Sequence, residues 1–230
     1  MGETVEQRVA QVLEAIGEAA VRSRRRPEEV TLVAVSKRHP AEAVIAAREA
    51  GLRVFGENKV QEAEEKIPSV EGVRWHLVGH LQRNKAKRAA ELFELIHSLD
   101  SIRLANTLDR LGQEQGKPIE TLVEINAAEE ASKHGFAWDE LHEAMPRLAG
   151  REGLAVRGLM TMPPFFDDPE QSRPYFQRLR RAAERIAERG LPGVRMDHLS
   201  MGMTNDYEVA IEEGATLVRV GTAIFGPRPG

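Results

Sequence analysis

The chain has 230 residues, 41% of them hydrophobic and 30% charged, with a formal net charge of −4. This composition excludes a disordered chain and lacks the positive excess that nucleic acid or an anionic membrane surface would recruit. There are no cysteines, so disulfides, thiolate metal sites and cysteine nucleophiles are excluded, and without an apolar signal core or a bilayer-length apolar run the expected location is the cytoplasm.

Val5, Val9, Val12, Leu13, Ile16 and Ala20 recur at helical spacing, which predicts an amphipathic helix ahead of the first strand. Arg22, Arg24, Arg25 and Arg26 follow, where cations suit the helix dipole, and they read as a solvated helix end. Pro27 closes this segment, and residues 1–28 are expected to pack on the domain that follows. A regular alternation comes next. Strands are expected at 30–36, 53–55, 75–78, 95–98, 120–125, 156–160, 196–199 and 216–220. Between them, helices run from Pro40 to Gly51, up to Ile67, and over 83–93, 102–115, 137–148 and 170–189. A last one starts from a cap at Asn205, three residues before Glu208, and stops at Gly214. The stretch Thr161-Met-Pro-Pro-Phe-Phe-Asp-Asp-Pro169 is the most turn-rich in the chain, and Phe165 and Phe166 are expected to pack beneath it, with a flap over a ligand as the alternative.

Alternating β and α segments imply a parallel sheet covered by helices. Eight such units predict an α/β fold of one closed (β/α)8 barrel, a TIM barrel with an extra N-terminal helix, spanning residues 1–230 as a single domain. A doubly wound sheet would carry a glycine-rich turn after its first strand, where Ser36-Lys-Arg-His-Pro40 stands instead.

The active end of such a barrel lies where strands end. The expected strand-end residues are Lys37, Asn58, His80, Asp100, Asn126, Met160, Ser200 and the pair Gly221-Thr222. Asp100 and Asn126 read as caps or turn formers. The seven lysines stand at 37, 59, 66, 85, 87, 117 and 133. Six read as polar helix faces or loops. Lys37 alone closes an apolar β-branched run, Thr31-Leu-Val-Ala-Val-Ser-Lys37. An ammonium at an apolar edge costs free energy unless paired or neutral, so Lys37 is the candidate amine nucleophile for a Schiff base.

Ser200-Met-Gly202 and Gly221-Thr222 end the seventh and eighth strands. There, glycine lets backbone N–H groups approach an anion, and these two loops form the usual phosphate cradle of the barrel class. The same glycines are equally explained as chain turns. Arg219 shares a strand face with Leu217 and Gly221, and its guanidinium needs either a ligand acceptor or a carboxylate such as Glu124. His76 and His80 share a face but lack a third ligand at recognisable spacing, so no metal site is expected. A phosphate cradle opposite a desolvated lysine suits pyridoxal 5′-phosphate, which carries both an aldehyde and a phosphate.

Several motifs in order resemble the pyridoxal phosphate homeostasis proteins: Val33-Ala-Val-Ser-Lys37, Phe55-Gly-Glu-Asn58 with Gln61-Glu62, Trp75-His-Leu-Val-Gly-His-Leu-Gln82 with Asn84-Lys85, Gly158-Leu-Met160, Leu199-Ser-Met-Gly-Met203, and Val218-Arg-Val-Gly-Thr-Ala-Ile-Phe-Gly226. The resemblance implies a barrel like the N-terminal domain of alanine racemase, with pyridoxal phosphate on Lys37. It implies Ser200, Gly202, Gly221 and Thr222 around the phosphate, Asn58 beside the cofactor and Arg219 at the pyridine nitrogen. His80 is a further cofactor-side position, one where the family also carries proline. The implied role is buffering or delivery of the cofactor, with transient contact to apo-enzymes that receive it and without established turnover. The expected state is a monomer. An amino-acid racemase is the alternative, and it needs a proton-transfer group on the cofactor face opposite the lysine. The two tyrosines, Tyr175 and Tyr207, fall in predicted helices.

Overall fold

Eight short strands form, most of them apolar and buried on both faces, as parallel strands between helices require; β-strand Val194–Ser200 is buried only at its end. The computed structural model describes residues 2–128 and 134–227. In chain order the elements are α1 (Val5–Arg22), β1 (Thr31–Val35), α2 (Ala41–Glu49), β2 (Val54–Glu57), α3 (Val60–Lys66), β3 (Arg74–Leu77), α4 (Ala86–Leu92), β4 (Leu95–Leu99), α5 (Ile102–Gln115), β5 (Ile119–Ile125), α6 (Leu141–Leu148), β6 (Leu154–Thr161), α7 (Arg173–Glu188), β7 (Val194–Ser200), α8 (Tyr207–Glu212), β8 (Leu217–Val220) and α9 (Thr222–Phe225). The strands form a closed barrel in sequence order. Closure comes from parallel pairing of β1 with β8, Thr31 opposite Leu217 and Ala34 opposite Val220. This is the (β/α)8 barrel that the alternation predicts.

Apolar residues pack in two places. The larger cluster fills the layer between strands and helices. The amphipathic face of α7 enters it through Phe176, Leu179, Ala183 and Ile186. A smaller cluster is made of Val33, Val35, Val54, Val78, Leu95, Leu122, Met160 and Leu217. It comes from six of the strands and the end of β3, and it packs the barrel interior.

The N-terminal helix carries a capping box, with Thr4 and Gln7 satisfying each other's backbone N–H groups. Its buried face is Val9, Val12, Ile16, Ala19 and Ala20. The arginines after it are more than a solvated end. Arg25 donates to the carbonyls of Ile211 and Ala215 at the end of α8, at 2.9 and 2.8 Å. Arg22 pairs with Glu208 and Glu212 of the same helix. Cations at a helix C-terminus satisfy carbonyls that have no intrahelical donor, so they fasten α1 to α8.

Two caps differ from expectation. Asp206, not Asn205, precedes α8, and its carboxylate accepts from the N–H of Met203. Asn205 instead donates to the carbonyl of Phe166 at 2.8 Å. Likewise Ser101 caps α5, which frees Asp100 for other contacts. Lys66 also departs from its expected polar setting. It is 7% exposed and donates to Glu57 Oε1 at 2.6 Å and to the carbonyl of Ser36 at 2.8 Å. Lys133 lies outside the described residues.

Candidate functional site

At the carboxyl ends of the strands a cavity of about 690 Å³ opens. Lys37, Asn58, His80, Arg219, Gly221 and Thr222 all line it. Residues 182 positions apart in sequence meet there because β1 and β8 are paired neighbours. Lys37 is half-buried, and Arg38, the next residue, has a positive φ of 63°. The chain therefore turns sharply as it leaves β1, with the Arg38 N–H donating to Glu62 at 2.8 Å. On the far side of the lysine, the Ser36 hydroxyl donates to the fully buried Glu57 at 2.6 Å. The backbone bearing Lys37 is thus held on both sides. Asn58 stands where β2 ends, against Gly79. A Cβ on Gly79 would lie 2.3 Å from the Asn58 carbonyl oxygen, so only glycine permits that approach.

Arg219 is 4% exposed. It donates to Ser200 Oγ at 2.6 Å and to the carbonyl of Thr161 at 2.9 Å. Burial lowers its pKa to about 10, opposed by the charges of Asp206 and Glu124. Among the described residues no ion pair to Glu124 forms within 4.0 Å, so the carboxylate alternative is not the arrangement seen. Behind Ser200 the polar contacts continue. His97 Nδ1 lies 2.9 Å from Ser200 Oγ, and His97 Nε2 lies 3.0 Å from His76 Nδ1. Burial holds both imidazoles neutral, pushing His76 down to about 3 and His97 well below its ordinary value. A neutral chain from β3 through β4 and β7 thus supports the guanidinium on β8 without adding charge.

Ser200 and Gly202, expected around an anion, do not line the cavity. The Ser200 side chain is fully buried and used by Arg219 and His97. Gly202 has a φ of 89°, and a Cβ there would lie 2.6 Å from Ala210 Cβ. It makes the tight turn into α8, and its carbonyl accepts from the Arg219 N–H at 3.0 Å. From this turn Met203, Thr204 and Asn205 face the cavity instead.

Sequence reasoning placed Glu124 only as a possible partner of Arg219. It lines the cavity, and its buried Oε2 has no hydrogen-bond partner among the described residues. Burial raises its pKa to about 7, reinforced by Asp100 and opposed by Arg219. Its place on an apolar strand, Glu120-Thr-Leu-Val-Glu-Ile125, is the signal for it. The loop after β6 reaches the cavity as well. Met162, Pro163, Pro164, Phe165 and Phe166 line the cavity. Phe165 is 78% exposed, so it is not packed under its loop.

A strand-end lysine beside a β8 turn with closely packed glycine defines the class: a (β/α)8 barrel of the alanine racemase N-terminal domain type. The family described as alanine racemase, N-terminal domain, matches residues 13–229. The chain is 42% identical over 225 residues to the pyridoxal phosphate homeostasis protein of Escherichia coli K12, covering 96% of this chain and 95% of that protein. It belongs to the pyridoxal phosphate homeostasis protein family. The structure of PipY from Synechococcus elongatus with PLP bound is similar, with a TM-score of 0.83, 37% identity, and coverage of 97% of this chain and all of that one. Alanine racemase from Corynebacterium glutamicum shares the fold at a TM-score of 0.74 and 15% identity. That match covers 96% of this chain and 62% of the racemase.

Proposed function

We propose that this chain binds pyridoxal 5′-phosphate through Lys37 and serves to hold and hand over the cofactor, with no amino-acid turnover of its own. The observation that carries the reading is the meeting of Lys37, Arg219, Gly221 and Thr222 in one cavity. The residues fit the group. A Cβ at Gly221 would lie 3.0 Å from the Val35 carbonyl oxygen, so glycine keeps the backbone close to β1 and leaves the turn open to an anion. When bound, the cofactor supplies an aldehyde that condenses with a primary amine, together with a phosphate and a pyridine nitrogen.

In this reading Lys37 presents the amine, and Gly221 and Thr222 present backbone and hydroxyl groups to the phosphate. Arg219, fixed by Ser200 and the Thr161 carbonyl, faces the ring nitrogen and disfavours its protonation, which weakens the ring as an electron sink. Asn58 and His80 stand beside the ring. Neither tyrosine lines the cavity: Tyr207 is buried in α8 and Tyr175 packs against Phe166 at 5.9 Å. This removes tyrosine as the second proton-transfer group that racemisation needs. The protein works as a single-domain monomer, and delivery means transient contact with apo-enzymes.

The test is the absorbance spectrum of the protein after incubation with pyridoxal phosphate, before and after borohydride, with mass analysis of the modified peptide. We expect a yellow protein modified at Lys37, and a colourless Lys37→Ala variant. A wild type that stays colourless overturns cofactor binding and favours a lysine barrel that works without cofactor. Lys37-dependent racemisation of alanine, faster than with free cofactor, overturns the holding role alone.

A further inference from the structure

Three consecutive βα loops bring together a second constellation. His80 follows β3, Asp100 follows β4 and His134 follows β5. His80 Nδ1 lies 2.9 Å from Asp100 Oδ2, and His134 Nδ1 lies 3.8 Å from the same oxygen. The two imidazoles stack with centroids 3.6 Å apart and planes within 10°. One ligand atom from each residue falls within 4.8 Å of the others. Two imidazole nitrogens thus face one carboxylate oxygen from nearly parallel rings.

We propose that His80, Asp100 and His134 form a binding site for a divalent first-row transition ion with the coordination chemistry of zinc. Zinc takes nitrogen and carboxylate oxygen ligands at about 2.0–2.1 Å in a tetrahedron, which puts neighbouring ligand atoms roughly 3.3–3.5 Å apart. The separations of 2.9 and 3.8 Å bracket that value. The carboxylate is the fixed member, with its side chain 11% exposed at the entrance to α5. The histidine side chains are 37% and 55% exposed, so the rings can rotate out of their stack until both planes pass through the ion, which in-plane imidazole lone pairs require. Two imidazoles argue against magnesium or calcium, which prefer all-oxygen shells. Three protein ligands leave a fourth position open, toward a cavity of about 520 Å³ that the three residues line with Ser101, Arg103 and Gly135. A His–Asp hydrogen bond by itself accounts for the 2.9 Å contact. It does not account for a second imidazole presenting its nitrogen to the same oxygen. Sequence spacings of 20 and 34 residues conceal the trio, which becomes visible only once the three loops are placed side by side.

His80 and His134 also line the cofactor cavity, whereas Asp100 does not, and the ion is titrated without cofactor, so the two readings fail separately. The experiment is calorimetric titration of zinc chloride into the full-length chain after chelator treatment and removal of cofactor, without phosphate in the buffer. We expect saturable binding of a single ion, with His80→Ala, Asp100→Asn and His134→Ala each weakening it roughly tenfold or more. His142→Ala, at an exposed histidine outside the site, leaves the affinity unchanged. His80 and His134 are surface groups, so their variants keep the circular dichroism of the wild type. Absence of saturable binding, binding that survives the His80→Ala/His134→Ala double variant, or equal weakening in His142→Ala overturns the proposal.

Discussion

Glu124 lines the cavity with one carboxyl oxygen buried and, among the described residues, without a hydrogen bond. Its pKa is raised to about 7, first by burial. The folded chain therefore holds a proton that the unfolded chain releases nearer the ordinary carboxylate range. Stability falls as pH rises through this window, and the full cost is present above its upper end. In cofactor-free protein the wild type should lose ground to Glu124→Gln by about 1.4 kcal/mol per pH unit between roughly pH 4.5 and 7, then run parallel to it. Urea unfolding at a series of pH values measures this, and a difference independent of pH refutes it. The residue also shows where sequence reading stops. Lys37, Asn58, Arg219 and the Gly221-Thr222 turn were legible because each breaks a pattern at a strand end. Glu124 breaks the same kind of pattern, but its neighbours across the barrel decide whether it pairs with Arg219 or faces a ligand. Ser200 is a second case. Its strand-end position is plain in sequence, whereas its use by Arg219 and His97 is a fact of packing.

Among the elements, β1, β2 and α3 are joined by an ion pair invisible in sequence. Glu57 is fully buried on β2 and accepts from Lys66 of α3 and from Ser36 just past β1. Burial raises the Glu57 pKa even against the opposing pull of Lys66. Such a pair adds little over an apolar replacement, but breaking it leaves an uncompensated charge. Lys66→Met should cost roughly 3–5 kcal/mol in unfolding free energy, and Glu57→Leu added to it should restore most of that loss. Denaturant titration of both variants checks the pattern, and a mild single-variant effect contradicts it. The segment Val60-Gln-Glu-Ala-Glu-Glu-Lys66 looks like a solvated helix because its charges are dense. Which of them turns inward depends on where β2 lies. Boundaries slipped for a related reason. The expected helix over 137–148 begins at Leu141, since the Glu140 side chain accepts from the Ala137 N–H and closes a turn first.

At the scale of the whole molecule, the closed barrel was the most legible feature. Strand and helix periods alternate eight times, and right-handed βα units of that number close on themselves. Closure then does what no local pattern can show: it sets β8 against β1, and with that pairing it sets Arg219 and the Gly221 turn beside Lys37. Attachment of α1 through Arg22 and Arg25 also appears only here, because the carbonyls and carboxylates that receive those arginines belong to a helix about 190 residues later.

The line of contacts from His76 and His97 to Ser200 and Arg219 crosses the lumen and stitches the first half of the barrel to the second. Cutting the gene between those halves would part His97 on one piece from Ser200 on the other and open the lumen to water, so the pieces lose the packing that the closed barrel gives them, together with a hydrogen bond of about 1 kcal/mol. Fragments 1–117 and 118–230 should therefore show no cooperative melting separately and regain it when mixed. A half that melts cooperatively by itself would mean that the lumen is not what makes the eight strands indivisible.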